Sequence, residues 1–310
     1  MDHKRKLPVL PPDPPAEDGS SRRGFLKLMG QAGGVALLAS CDAETRERFF
    51  QKHFNELSKA DLQRITARLE REYKDKYGVE FKVGVEPAIQ GVLFAYALDL
   101  SRCVGCRRCV HACVEENNMG HEPEMQYIRV LEMEKSHGID LTHADPYYET
   151  DLVPREGHFY FPTSCQQCEH SPCEKVCPVG ATWKEPDGVV VVDYDWCIGC
   201  RYCMAACPYE ARRFNWSEPV IPKDKLNPNT HMLGNRPRVS GVVEKCHFCL
   251  QRTRSGRYPA CLEVCPVGAR KFGNLLDPEG EIRQVIESKR IFVFKEELGT
   301  EPKFFYFYGA

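Results

Sequence analysis

Apolar and polar positions divide the chain unevenly. Residues 1–19 mix prolines and charges (Pro11-Pro12-Asp13-Pro14-Pro15) with too few apolar side chains to bury a core. A short apolar run follows from Leu28 to Ala39. It is broken by Gly30, Gln31, Gly33 and Gly34, and is shorter than the ~20 residues a membrane helix needs. From Thr45 to Tyr77 the spacing becomes helical and predicts two amphipathic helices. Phe50, Phe54 and Leu57 line the first, and Leu62, Ile65, Leu69 and Tyr73 the second. Ser58 with Asp61 forms a capping-box pattern, and Gly78 suits the C-terminal stop. Two readings of this arm stay open: a hairpin packed on its own core, or a docking arm for a partner.

Beyond Gly91 the period shortens to two. Val92, Phe94, Tyr96, Leu98 and Leu100 predict a strand. Ala181–Lys184 and Val189–Val192, joined through Pro186-Asp187-Gly188, predict a hairpin. Residues 114–164 are long enough for a subdomain, with a strand over Tyr127–Leu131 and a polar loop carrying His137 and His143. Further strands are predicted at Ala211–Phe214, Ala269–Phe272, Ile291–Phe294 and Lys303–Tyr308, with a helix near Glu281–Glu287. The aromatic 303–308 stretch could cover its own domain or a neighbouring subunit.

Composition narrows the function. A formal net charge of −2, with Lys and Arg scattered, gives no footprint for nucleic acid. The chain has no G-x-G-x-x-G, no P-loop and no G-x-S-x-G, so it offers no dinucleotide site and no nucleophile elbow. The chemistry lies in the cysteines.

Sixteen of the seventeen cysteines fall into four sets of four. Cys103/Cys106/Cys109/Cys113 and Cys197/Cys200/Cys203/Cys207 read C-x2-C-x2-C-x3-C, the ligand run of bacterial ferredoxins. Cys165/Cys168/Cys173/Cys177 widens one gap, and Cys246/Cys249/Cys261/Cys265 places a longer loop between its second and third thiols. Pro178, Pro208 and Pro266 follow the last cysteine of three sets, where a fixed φ and a missing N–H suit a tight turn. Structural zinc uses separated C-x2-C pairs, and disulfides have no reason to repeat a ligand-like spacing, so four [4Fe–4S] clusters are the expectation. In a ferredoxin run the fourth cysteine ligates the other cluster of a pair. Only nineteen residues, containing the predicted hairpin, separate Cys177 from Cys197. Sets two and three are therefore expected to share clusters, leaving one and four to each other. The implied ligand sets are Cys165/Cys168/Cys173 with Cys207, Cys197/Cys200/Cys203 with Cys177, Cys103/Cys106/Cys109 with Cys265, and Cys246/Cys249/Cys261 with Cys113. His111 and His247, inside cluster loops, are expected to donate hydrogen bonds or face solvent. Arg252, Arg254 and Arg257 in the fourth loop are candidates to offset cluster charge, with plain surface solvation as the alternative.

Ser21-Arg22-Arg23-Gly24-Phe25-Leu26-Lys27 ahead of the apolar run is a twin-arginine export signature. Export of folded protein would reconcile buried clusters with an oxidising compartment. Leu38-Ala39-Ser40-Cys41 resembles a lipobox, making Cys41 a candidate for lipidation and membrane anchoring. An unmodified cysteine near an ordinary cleavage site is the alternative.

Together these strings resemble the four-cluster iron–sulfur subunits of complex iron–sulfur molybdoenzymes, such as dimethyl sulfoxide, polysulfide and tetrathionate reductases and formate dehydrogenase-N. Related periplasmic [NiFe]-hydrogenase subunits share them. The resemblance rests on Cys103-Val104-Gly105-Cys106-Arg107-Arg108-Cys109, Cys165-Gln166-Gln167-Cys168, Cys197-Ile198-Gly199-Cys200-Arg201-Tyr202-Cys203 and Cys246-His247-Phe248-Cys249. It implies a non-catalytic electron relay between a catalytic subunit of molybdopterin type and a quinone-binding integral membrane subunit. The site would be at the periplasmic face of the cytoplasmic membrane. A subunit of a hydrogenase or quinol-oxidising complex, a freestanding polyferredoxin and a zinc protein are the other readings. The expected fold class is α+β, with two interleaved ferredoxin-like modules. These comprise an outer one over 91–160 plus 240–275 and an inner one over 161–239. They would be preceded by a signal (1–40) and a helical arm (41–90), and followed by a tail (276–310).

Overall fold

The computed structural model describes residues 53–309. The proline-rich leader, the export signature, Cys41 and most of the predicted 45–57 helix lie outside the described residues. Of that helix only a 3-10 turn, Phe54–Glu56, is described.

The first long element forms where local signals agree. Helix α1 (Lys59–Tyr77) begins at Ser58, whose hydroxyl accepts from the Asp61 N–H while the Asp61 carboxylate accepts from the Ser58 N–H. It ends at Gly78, left-handed with φ 65°. Its apolar face carries Ile65, Leu69 and Tyr73, which pack with Phe81, Val83 and Met232. Met232 comes from far along the chain. Strand β1 (Lys82–Gly84) likewise pairs in parallel with β8 (Asn229–His231). The arm therefore shares its core with the body, where the sequence left open whether it packed alone.

The central sheet is mixed, in the order β10 (Arg270–Asn274), β2 (Phe94–Asp99), β12 (Phe304–Phe307), β11 (Ile291–Val293). Strand β2 is antiparallel to β10 and parallel to β12. Every residue of β2 is buried, because both faces are covered. Phe94, Tyr96 and Leu98 enter the main aromatic core, while Ala95 and Ala97 meet Ile282 on helix α7 (Glu281–Ser288). Small residues let that helix approach closely. The aromatic tail strand β12 fills the middle of the sheet, with Phe304 stacked on Tyr96 and Tyr306 on Phe161. It thus covers its own domain.

Around this core lie two-stranded ribbons. The predicted insertion strand is observed as β3 (Arg129–Glu134), pairing antiparallel with β4 (His158–Thr163). The strand starts at Arg129, two residues later than predicted, because its partner β4 ends at Thr163, where the Cys165 loop begins; Tyr127 and Ile128 before it are buried but lie outside this ladder. The hairpin β5 (Thr182–Lys184) and β6 (Val190–Val192) forms as the sequence predicts, with the Gly188 N–H closing the turn onto Glu185 O. Strand β7 (Arg213–Phe214) pairs with β9 (Val243–Glu244). Short helices flank the cysteine loops: α2 (Arg108–Glu116), α3 (Pro172–Lys175), α4 (Tyr202–Ala206), α5 (Leu250–Thr253) and α6 (Ala260–Glu263). Among the described residues no helix is long and apolar enough to cross a membrane.

Candidate iron–sulfur centres

The cysteine loops share one backbone device. The residue before the second cysteine is left-handed in all four: Gly105, Gln167, Gly199 and Phe248, with φ of 72°, 47°, 68° and 55°. Arg107 and Arg201 repeat it two residues later. Successive right- and left-handed residues curl a short loop so that its N–H groups converge on the interior, a concavity suited to anions. The Gly105 N–H donates to Cys103, that of Phe248 to Cys246, and those of Tyr209 and Ala211 to Cys207.

The loops gather thiols that are far apart in sequence. Cys103, Cys106, Cys109 and Cys265 line one small pocket. Cys165, Cys168, Cys173 and Cys207 line a second, and Cys177, Cys197, Cys200 and Cys203 a third. In the remaining group, Cys113 neighbours Cys249, Cys246 and Cys261, and Asn117 Nδ2 lies 3.5 Å from Cys113 Sγ and 3.8 Å from Cys249 Sγ. All sixteen described cysteines are free. In three of the four groups the thiols ring a cavity, and among the described residues no three His, Cys, Asp or Glu side chains converge on a single-ion point.

The four groups form a row. Cys109 of the first adjoins Cys261 of the Cys113 group, whose Cys246 adjoins Cys165; Cys173 then adjoins Cys203. Each end of the row has its own surroundings. At the first, the insertion folds over the cysteine loop: the Tyr148 hydroxyl donates to Gly105 O at 2.5 Å, and the Arg107 guanidinium lies 4.2 Å from the Tyr148 ring centre. At the other, Cys200 is the one exposed cysteine among the described residues, with exposed Ile198 and Tyr202 two residues either side of it and exposed Trp216 held 4.6 Å from the Arg201 guanidinium.

Burial pushes the thiols toward their neutral form. Cys103 rises to about 11 and Cys168 and Cys246 to about 12, in each case chiefly through loss of solvent, with neighbouring thiols adding to it. Four such thiols become thiolates only if a cationic group replaces their protons. That donor chemistry fits a four-iron cluster. When bound, such a cluster supplies a one-electron couple tuned by its surroundings.

Those surroundings include cations that the sequence did not single out. Arg252 ion-pairs with Glu116 (2.8 Å) and Glu263, and Arg254 with Asp187 (2.9 Å) and Glu185 (3.3 Å). Arg257 remains exposed near Glu263. The arginines of the fourth loop are therefore spent on carboxylates, not thiols. The arginines at the thiols are Arg212 and Arg270, both buried, and buried Lys245 adds a charge beside Cys246. The sequence signal of the two arginines is a shared place, five residues after the last cysteine of sets three and four. His247 is fully enclosed, its Nδ1 accepting from the Leu250 N–H at 3.2 Å, and burial holds it neutral, far below its usual range. His111, by contrast, is exposed.

Comparison with known proteins agrees with this donor chemistry. A 4Fe–4S dicluster family matches residues 157–240 and 232–275, and a second dicluster family matches residues 102–182. The chain is 36% identical over 304 residues to a selenate reductase subunit from Mesobacillus selenatarsenatis, covering 93% of this chain and 97% of that protein. It is 42% identical over 217 residues to a putative dimethyl sulfoxide reductase iron–sulfur subunit from Halobacterium salinarum, covering 70% and 79%. With a tetrathionate reductase subunit from Salmonella typhimurium it shares 33% over 215 residues, covering 69% and 71%. The chain belongs to the family of iron–sulfur subunits of reductase complexes. Its two dicluster domains provide for four [4Fe–4S] clusters, and it is an iron–sulfur electron-transfer subunit of such complexes.

Proposed function

We propose that this subunit is a four-cluster wire in a respiratory complex outside the cytoplasm. It carries single electrons between a catalytic subunit of molybdopterin type and a quinone-binding integral membrane subunit. The ligand sets of this reading are Cys103/Cys106/Cys109/Cys265, Cys246/Cys249/Cys261/Cys113, Cys165/Cys168/Cys173/Cys207 and Cys197/Cys200/Cys203/Cys177, held in two nested ferredoxin-like modules. The observation that carries it is the row of four thiol groups. A relay needs stepwise neighbours, and a freestanding carrier has no need of two differently built ends. One end lies under the insertion at Tyr148, the other beside exposed Ile198, Tyr202 and Trp216. Exposed aromatic and aliphatic side chains around a redox centre suit a covered interface.

Export by the twin-arginine route and lipidation at Cys41 complete the reading, and both rest on sequence alone. The test is purification of the epitope-tagged chain from native membranes, anaerobically and in mild detergent. The proposal expects a large partner carrying pterin, an integral membrane partner, and clusters that a reduced quinol or the catalytic subunit's substrate can reduce or reoxidise. A chain recovered alone, from the cytoplasm, with clusters indifferent to quinol would contradict it.

A further inference from the structure

Most buried arginines among the described residues face carboxylates: Arg236 faces Asp195 at 3.0 Å, Arg238 faces Glu244 at 3.4 Å and Arg254 faces Asp187 at 2.9 Å. Arg212 and Arg270 do not. Among the described residues neither lies within ion-pair distance of an Asp or Glu, although both are buried. Arg270 donates from Nη2 to Cys109 Sγ at 3.1 Å and from Nη1 to the Tyr96 hydroxyl at 3.4 Å. That hydroxyl lies 3.4 Å from Cys261 Sγ. One guanidinium thus links a thiol of the first group to a thiol of the Cys113 group.

Arg212 occupies the corresponding place between the other two groups. It lines both the Cys165 and the Cys197 cavities. Its neighbours are Cys173, Cys203 and Cys165. Only Nη1 finds a conventional partner, Thr182 Oγ1 at 3.1 Å; the buried Nε and Nη2 have none. The guanidinium also lies against the Cys173 thiol, and a buried cation with no carboxylate is expensive unless another anion lies beside it. The thiol cavities on either side are where such an anion would sit.

The two positions are matched in sequence. Arg212 follows Cys207 through Pro208-Tyr209-Glu210-Ala211, and Arg270 follows Cys265 through Pro266-Val267-Gly268-Ala269. After Cys177 and Cys113 the same place holds Thr182 and Asn118. Each pair of thiol groups therefore receives one arginine, not two.

We infer that Arg212 and Arg270 are potential-setting cations, each seated between the two clusters of one pair and raising the reduction potentials of both. The inference rests on the four-cluster reading above. A thiolate-ligated cluster gains one negative charge when it accepts an electron, with no proton required. A fixed positive charge beside it favours the reduced form, and more so where water is excluded. Sharing one arginine ties the two potentials of a pair together.

The experiment is an anaerobic redox titration of the whole chain, followed by electron paramagnetic resonance, after iron and sulfide have been measured in each sample. Arg212→Gln and Arg270→Gln are compared with wild type and with Arg212→Lys and Arg270→Lys. Each glutamine variant is expected to lower two of the four potentials by at least tenfold in the reduction equilibrium, 59 mV for a one-electron couple. The two substitutions should move different pairs, and lysine should restore most of the shift. Fully loaded glutamine variants with unmoved potentials overturn the inference. So do lysine variants displaced as far as glutamine, or an arginine whose Gln and Lys variants both lose iron, which marks a structural role. Wild-type protein lacking four clusters would sink the cluster reading itself, a separate outcome.

Discussion

Replacing Gly199 by alanine separates two constraints that the cysteine loops impose. Gly199 is left-handed, with φ 68°, and an added Cβ would lie 2.2 Å from Gly241 O and 3.2 Å from the Phe214 ring. The left-handed backbone alone costs an L-residue about 1–2 kcal/mol. The clash adds to this because it falls on backbone. Relieving it means moving Gly241, whose N–H donates to Asn215 O at 2.8 Å, or opening the Cys197–Cys203 loop. Losing that hydrogen bond costs about another 1 kcal/mol, more if the groups stay buried. Gly256 supplies the control: it has φ 76° and nothing within 4 Å of an added Cβ. Gly256→Ala should therefore carry the left-handed cost without the clash. At about 2–4 °C per kcal/mol for a chain of this size, it should lower the apparent melting temperature by about 2–8 °C. Gly199→Ala should lower it about twice as far and bleach visible absorbance in the same step. The assay is thermal denaturation of both variants, anaerobically and at one scan rate, read by near-ultraviolet dichroism and visible absorbance. If the two variants melt together, the clash is relieved at no cost and the reasoning about loop rigidity is wrong.

Other substitutions probe the scaffold. Ser58→Ala removes the capping hydroxyl of α1 and should cost about 1 kcal/mol, measurable by denaturation, with cluster absorbance unchanged. Glu244→Ala strips the carboxylate that Arg238, Tyr127 and Asn215 share in the interior, leaving a buried arginine unpaired; a loss of about 3–5 kcal/mol is expected, against little change for Glu218→Ala at the surface. Asp193 is fully buried with one carboxylate oxygen unpartnered, and burial followed by the Asp195 charge raises it from 3.8 to about 6. Because the folded state then holds its proton more tightly than the unfolded state, this group makes stability fall as pH rises from about 4 through about 6. Asp193→Asn should therefore gain stability relative to wild type, by about 1.5 kcal/mol more at pH 7.5 than at pH 5; a pH-independent difference would refute the assignment.

What the sequence revealed and what it hid follow from the range of the interactions. The Ser58–Asp61 cap, the Gly78 stop and the 182–192 hairpin are local, so their residue types announced them. Strand β2 was legible as a strand, but its burial on both faces was not, since that depends on a helix nearly two hundred residues later. The alternation of Phe94, Tyr96 and Leu98 with Ala95 and Ala97 was a usable hint: two alanines in a buried strand leave room for a second layer. The insertion strand starts later than its local pattern suggests because its partner β4 ends at Thr163, before the Cys165 loop; burial does not mark the boundary, since Tyr127 and Ile128 are buried as fully as Val130. The arginines are the instructive miss. Arg252 and Arg254 lie in a cysteine loop yet turn to Glu116 and Asp187, while Arg212 and Arg270 lie outside the loops and turn in. Proximity in sequence pointed to the wrong cations; the repeated place after Cys207 and Cys265 pointed to the right ones.

The central claim is that all sixteen thiols beyond Cys41 hold iron as four cubane clusters. Chemical analysis of anaerobically purified chain for iron, acid-labile sulfide and zinc tests it most directly. The account predicts about sixteen iron and sixteen sulfide per chain with no stoichiometric zinc. Colourless protein carrying zinc, or iron near eight, would contradict it.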